Sequence, residues 1–419
     1  METRFFFKNI LCKAAFCAAL MLAFGGLASC DSDFDLTNVP DAKPISLELT
    51  EKIETDNSFA FDLFKTTYQS SGEANVFVSP LSVNMALSMT MNGAKGQTLE
   101  EMKEALRAKN YSLDAINNYN KSLRKALLKV DPTTDITIAN SIWYRNTLTV
   151  KRDFITVNKD YYDAEVKSLD FNSPNAVKQI NNWVSDKTKK KIPAIIQEIP
   201  ANAKMYLINA IYFKGVWKLK FEKSDTKDEN FFSEGDMNVY KVNMMKQTDR
   251  FLYTEDDYCK YLKMAYGNKA FSMIVMLPQN GMTVDDVIVN LNNETWHNAM
   301  QMDSYKVNLR LPRFKAECSY KMEESILPDM GMVIPFSGLA DFSGISDASL
   351  MISKVIHKTF VEVNEDGTEA AAVTMVGMVD SAPSPGTIID YNVNKPFAFA
   401  ICENSTGIIL FIGKMGEIR

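Results

Sequence analysis

HKTFVEVNEDGTEAAAVT, residues 357–374, changes character halfway along. Phe360, Val361 and Val363 surround Glu362 in the manner of a half-buried strand, which ends at the turn signal Asn364-Glu365-Asp366-Gly367. From Gly367 onward the chain becomes small and almost uncharged. No Lys, Arg or His occurs as far as Gly386, and the prolines of this stretch, Pro383 and Pro385, come late. A second patterned stretch follows. NKPFAFAICENSTGIILFIGKM reads as two apolar strands joined by the turn Asn404-Ser405-Thr406-Gly407. The segment between them opens with a helix-friendly Ala run, turns β-branched and sulfur-bearing, and ends in prolines.

Toward the N-terminus, NVFVSPLSVNMALSMTMNGAKG places Val76 and Val78 on a short strand. Ser79 then caps a helix whose first position is Pro80, where a missing N–H costs nothing. Val83, Leu87 and Thr90 keep helical spacing, and Gly93 is expected to close the helix in a left-handed conformation. AVKQINNWVSDKTKKK is a second helix, with Val177, Ile180 and Val184 on one face. AKMYLINAIYFKGVW is an apolar run rich in β-formers, expected as a strand covered on both faces. FSMIVMLP and KVNLRLPRFKAE are further strands. The fold class is α+β, with many strands paired over long distances. From about residue 46 there is no second linker and no repeat, so residues 46–419 are expected as one domain although 419 residues would allow two or three.

The bulk numbers exclude more than they assign. A net charge of -6 leaves no basic footprint for nucleic acid. The chain has two histidines, His297 and His357, and no G-x-S-x-G, H-E-x-x-H, P-loop or dinucleotide fingerprint. With so few catalytic bases available, the chain is not expected to be an enzyme, and no cofactor or metal is expected. Cys12 and Cys17 lie in an apolar leader that follows Arg4, Lys8 and Lys13. The leader ends in Leu27-Ala28-Ser29-Cys30, which resembles a bacterial lipobox. Residues 1–29 then form the signal, and Cys30 carries lipid, an anchor that holds a membrane without spanning it. Residues 30–45, with Asp31, Asp33 and Asp35, read as an acidic tether like that of some surface-exported Gram-negative lipoproteins. The expected location is the outer membrane of such a cell, with exposure at the surface as one option. Cys259, Cys318 and Cys402 remain, widely spaced and odd in number, and are expected as buried or free thiols.

Taken in order, these stretches resemble the serpin family over residues 50–419. The Asn75–Ser82 segment and its Gly-Ala-x-Gly-x-Thr end, INNWVSDKT, LINAIYFKGVWKLKF, LPRFK, LADFSGI, the 357–374 stretch and the closing strands all fall in family order. TKKKI departs from it, since the family usually has Gly where Lys190 stands. The resemblance implies three β-sheets, about nine helices and an exposed reactive centre loop near residues 365–390. It also implies a suicide-type inhibitor of a partner protease: the loop is cut, an acyl-enzyme forms, and the freed loop enters the main sheet as a new strand. By motif position, Ser79, Ser82, Asn209 and His357 resemble the polar shutter beneath the opening sheet, with Asn209 and His357 as its buried pair. Trp217 resembles the aromatic at its top.

That mechanism gives the bland segment a reason. An inserted strand alternates between faces. With Thr368 as the first inserted residue, the buried face receives Thr368, Ala370, Ala372, Thr374 and Val376, while Glu369, Ala371, Val373 and Met375 face outward. A buried unpaired charge or a Pro would oppose insertion. Glu365, Gly367, Thr368, Glu369, Ala370, Ala371 and Ala372 form the hinge on this reading. Counting from Gly367 sets the cut at Ser381-Ala382, counting back from Asn394 gives Pro385, and Met378, Val379 and Asp380 are alternative cut points. Small and aliphatic residues there suit an elastase-like or subtilisin-like protease, and a papain-like one remains compatible. A non-inhibitory serpin acting as a surface binding or carrier protein is the alternative. The chain is expected to be monomeric and to touch a membrane through its lipid alone.

Overall fold

The computed structural model describes residues 39–233, 239–368 and 388–418. Nine α-helices and fifteen strands occur among them. The helices are α1 (Lys52–Ser71), α2 (Pro80–Met91), α3 (Gly96–Ala105), α4 (Leu113–Leu127), α5 (Arg152–Tyr162), α6 (Ala176–Lys187), α7 (Val284–Asn290), α8 (Asn293–Met300) and α9 (Ile326–Asp329). The strands are β1 (Asn75–Val78), β2 (Asp135–Arg145), β3 (Glu165–Leu169), β4 (Met205–Val216), β5 (Lys227–Phe232), β6 (Val239–Glu255), β7 (Cys259–Ala265), β8 (Phe271–Pro278), β9 (Asp303–Pro312), β10 (Phe314–Lys321), β11 (Ile356–Asn364), β12 (Gly367–Thr368), β13 (Ile389–Asn392), β14 (Phe397–Glu403) and β15 (Ile409–Met415).

A six-stranded sheet runs β10-β11-β12-β4-β2-β3. The other strands form one nine-stranded ladder. Two of the three expected sheets are therefore continuous here. The reason is the 17-residue β6, which pairs with β5 and β9 over its first part and with β7 over its last four residues. The fully buried strands β8, β14 and β15 lie in this ladder, and their side chains are the near-unbroken apolar runs seen in the sequence.

Local chemistry explains the elements that frame the six-stranded sheet. Ser79 caps α2 by accepting the Ser82 N–H, with Pro80 at the first helical position. Gly93, expected to be left-handed, is not. It is Gly because a β-carbon there would collide with the Ile345 side chain. Helix α6 ends at Lys187, and the chain turns back through Lys189 (φ 49°) and Lys190 (φ 68°), both left-handed. The position where the resemblance expects a glycine is thus left-handed here with a lysine in it. That costs roughly 1–2 kcal/mol per residue for an L-amino acid.

Two apolar clusters cover the two faces of β4. Ile211 and Phe213 face the main core with Val361 and Val363, whereas Tyr206, Ile208 and Ala210 pack with Trp143, Trp183 and Val184 beneath α6. The chain before α1, expected as part of the tether as far as residue 45, already touches the fold from Asp41. Asp41 pairs with Lys269 at 2.9 Å, and the Ala42 N–H donates to the Asn268 carbonyl at 2.8 Å.

Candidate functional site: the gap between β4 and β11

Among the described residues, strands β4 and β11 are bridged only at one end. There β12 lies between them, with Gly367 opposite Val216 and Asn364, and Thr368 opposite Gly215 and Val363. Below Thr368 the facing edges of β4 and β11 carry no strand between them among the described residues. At the far end the gap widens into a cavity of about 320 Å³, lined among others by Ser82, Asn209, Ile195 and His357. Two strand edges side by side are a ready template for one more strand.

The end occupied by β12 is tightly built. Gly367 has φ 153°, and a β-carbon there would strike the Gly215 carbonyl oxygen. Gly215 must also be Gly, because its β-carbon would sit 2.7 Å from the Tyr266 ring. Tyr266 stacks on Trp217, with centroids 4.4 Å apart, and meets the edge of Phe213 at 5.1 Å. The Trp217 indole N–H donates to the Asn364 carbonyl at 2.9 Å and so caps the gap. The Thr368 side chain points inward, 2 % exposed, with its hydroxyl 2.6 Å from the Tyr266 hydroxyl.

Glu365 holds the turn. Arg313 donates to its carboxylate through Nε and Nη2 at 2.6–2.9 Å, and the Thr226 hydroxyl donates at 2.5 Å. Burial would raise the Glu365 carboxyl pKa, but these hydrogen bonds outweigh it and leave it below the ordinary carboxylate value. Asp366 faces Lys223 at 3.1 Å and Lys220 at 3.7 Å. Arg313 belongs to the LPRFK stretch quoted above. Tyr266 and Gly215 had no signal as site residues, because their role depends on a stack between distant strands.

At the far end of the gap, in the lining of the cavity, His357 is 5 % exposed and its Nε2 accepts the Ser79 N–H at 2.9 Å. The Ser79 hydroxyl donates instead to the Leu410 carbonyl at 2.7 Å. Ser79 and His357 are therefore not a nucleophile–base pair. Burial pushes the His357 pKa down to about 3, so the ring is neutral. Asn209 does not complete the expected pair with His357. Its amide donates to Asn140 across the β2–β4 ladder at 2.8 Å, and its Oδ1 is buried without a partner. Asn209 on β4 and His357 on β11 both line the cavity.

A strap crosses the outer side of the gap. After α6, Lys191 reaches Glu362 at 3.2 Å and lies over the Phe360 ring at 4.6 Å, while Lys358 donates to the Ala194 carbonyl at 2.7 Å. Asn181 fixes the strap's other end through Ile195 and Ile196.

Cys30, Glu369, Ala370, Ala371, Ala372, Met378, Val379, Asp380, Ser381 and Ala382 lie outside the described residues. Among the described residues no His, Cys, Asp and Glu side chains gather as metal ligands, and no helix is long and apolar enough to cross a membrane. Cys259, Cys318 and Cys402 are buried free thiols.

Residues 54–418 match the family described as Serpin (serine protease inhibitor). Serpin B3 of Homo sapiens is 38% identical over 389 residues, covering 87% of this chain and 98% of that protein. The leukocyte elastase inhibitor of Xenopus laevis is 36% identical, covering 85% and 96%. Among solved structures, the thermophilic serpin tengpin in its native state aligns with TM-score 0.80 and 34% identity, over 90% of this chain and 97% of that one. A thyroxine-binding globulin with thyroxine aligns with TM-score 0.78 and 28% identity, over 88% and 99%. With a hinge strand started between β4 and β11 and a match over residues 54–418 and nearly the full length of these relatives, the chain belongs to the serpin family.

Proposed function

We propose that this serpin is a suicide-type protease inhibitor whose loop, once cut, completes the six-stranded sheet. The observation that carries this reading is β12. The hinge residues Gly367 and Thr368 are already paired on both sides, between two strand edges that no other described residue bridges.

The register supports the rest. Each further residue on the loop strand moves one residue back along β4 and one back along β11. At constant register residue 370 falls opposite Phe213 and Val361, residue 372 opposite Ile211 and Thr359, and residue 374 opposite Asn209 and His357. These are the inward rows, and the sequence supplies Ala370, Ala372 and Thr374 for them. On the outward rows Glu369 falls opposite Lys214 and Glu362, and Ala371 opposite Tyr212 and Phe360, under the strap. Small residues suit a channel closed on one side by core and on the other by Lys191 and Ala194. An inserted bulky or charged residue on the inward face would be costly.

The leukocyte elastase inhibitors among its relatives, together with the small and aliphatic residues from Met378 to Ala382, favour an elastase-like or subtilisin-like target, cut at Ser381-Ala382. The lipobox-like Leu27–Cys30 and the acidic residues behind it favour a chain anchored by lipid to a Gram-negative outer membrane.

Incubation of residues 39–419 with pancreatic elastase should give an SDS-resistant complex and a C-terminal fragment starting at Ala382. Trypsin should give none. Thr368→Arg should still be cut but should form no complex, because its cation would enter the buried row beside Tyr266. Plain cleavage of the unaltered chain by every elastase-like and subtilisin-like protease would overturn the reading.

A further inference from the structure

The Tyr266 hydroxyl has little freedom. Its ring lies between the Trp217 face and the Phe213 edge, its N–H donates to the Phe271 carbonyl at 2.9 Å, and Gly215 leaves the space it occupies. Tyr266 and Trp217 also form an isolated β-bridge. The hydroxyl is therefore held at one point, and that point is 2.6 Å from the Thr368 hydroxyl. Both residues are buried, Tyr266 entirely.

We propose that Tyr266 is a positioning residue, which keeps Thr368 seated between β4 and β11 before the loop is cut. Its consequence for inhibition rests on the inhibitory reading above, whereas the seating itself does not. A strand that must start from nothing fixes several residues before its first pairs form, and only then adds pairs cheaply; helix nucleation follows the same logic. With Gly367 and Thr368 seated, that first stage is complete in the uncut chain. After acylation, two processes compete: hydrolysis, which releases active protease, and insertion, which removes it. A start already in place shortens the interval in which hydrolysis can win. The hydroxyl pair makes the seat selective. If either partner lost its oxygen, the other would be buried without a hydrogen bond, and the withdrawn hinge, where water can reach Thr368, would gain population.

The test uses Tyr266→Phe, Thr368→Val and the double variant in residues 39–419. Two quantities are read: amide hydrogen exchange at Gly367 and Thr368 in the uncut protein, and the number of inhibitor molecules consumed per elastase inactivated. Each single variant should exchange about ten-fold faster at these amides. Each should also consume several times more inhibitor, with the rate of loop cleavage unchanged. The double variant, in which no orphaned hydroxyl remains, should return toward the parent in both. Unchanged exchange in the single variants would overturn the proposal, as would equal impairment in all three, which would mark a loss of packing. If Tyr266→Phe fails to fold, Thr368→Ser, which keeps the hydroxyl, should match the parent while Thr368→Val does not. Failure of the unaltered chain to trap any protease would count against the inhibitory reading alone, since the exchange measurement still decides whether Tyr266 seats Thr368.

Discussion

His357 shows how one side chain is fixed by what surrounds it. A chain with two histidines invites a search for a catalytic base, yet this ring spends its Nε2 lone pair on a backbone N–H of Ser79. Its pKa, near 6.5 when exposed, is pushed down to about 3 by burial. The folded protein therefore resists a proton that the unfolded chain accepts. His357 contributes its full stability above pH 6.5, and that share falls as pH drops from 6.5 toward 3, by up to about 1.4 kcal/mol per pH unit. His357→Gln keeps an acceptor for Ser79 but cannot titrate. Between pH 7 and pH 4.5 the parent should lose more melting temperature than this variant does, and parallel losses would show that the ring carries no linkage. The residue was legible in the sequence as a structural histidine. Its supposed partner was not, because Asn209 pairs along its own sheet, with Asn140, and which neighbour an amide chooses depends on strand register.

Elements whose signals are local were readable in the same way. Ser79 and Pro80 mark the start of α2 because capping involves four consecutive residues. Gly93 was misread because its reason is distant: Ile345 lies against it, and no pattern near residue 93 announces that. The two-residue β12 could not be drawn from its own composition, since its pairing is decided by the edges of β4 and β11. The turn after α6 allows a direct test. Lys190 holds a left-handed conformation and closes the helix by donating its N–H to the Ser185 carbonyl at 2.7 Å. Its ammonium pairs with Asp186 on the surface, where such a pair contributes little. Lys190→Gly keeps the backbone bond and removes the strain, so urea unfolding should show a gain of about 1 kcal/mol. A loss of stability would mean that the Lys190–Asp186 pair outweighs the strain.

For the whole molecule, the central fact is that β12 starts a strand between β4 and β11 that no other described residue continues. Buried backbone groups are almost always paired, so an open pair of edges next to a loop of matching composition is a structure with a lower state within reach. The loop's composition was visible in the sequence, but where its first residues pair was not, because that is decided by the edges of β4 and β11 on either side of β12. The register now reaches further than composition could. Continued at constant register, the inserted loop would bring Thr374 to the row of Asn209, whose Oδ1 is buried and lacks a donor. A threonine hydroxyl there can supply one. Nicking the loop on its C-terminal side should therefore raise the unfolding midpoint of the parent well above that of the intact protein. Thr374→Val should leave the intact protein unchanged and still allow insertion, because valine fills the same space. The nicked form should then be less stable than the nicked parent by about 1–2 kcal/mol, the cost of a buried acceptor left unpaired. Equal midpoints for the two nicked forms would mean that the inserted strand does not keep the register begun at Gly367, and a nicked parent no more stable than the intact chain would mean that the gap does not take the loop at all.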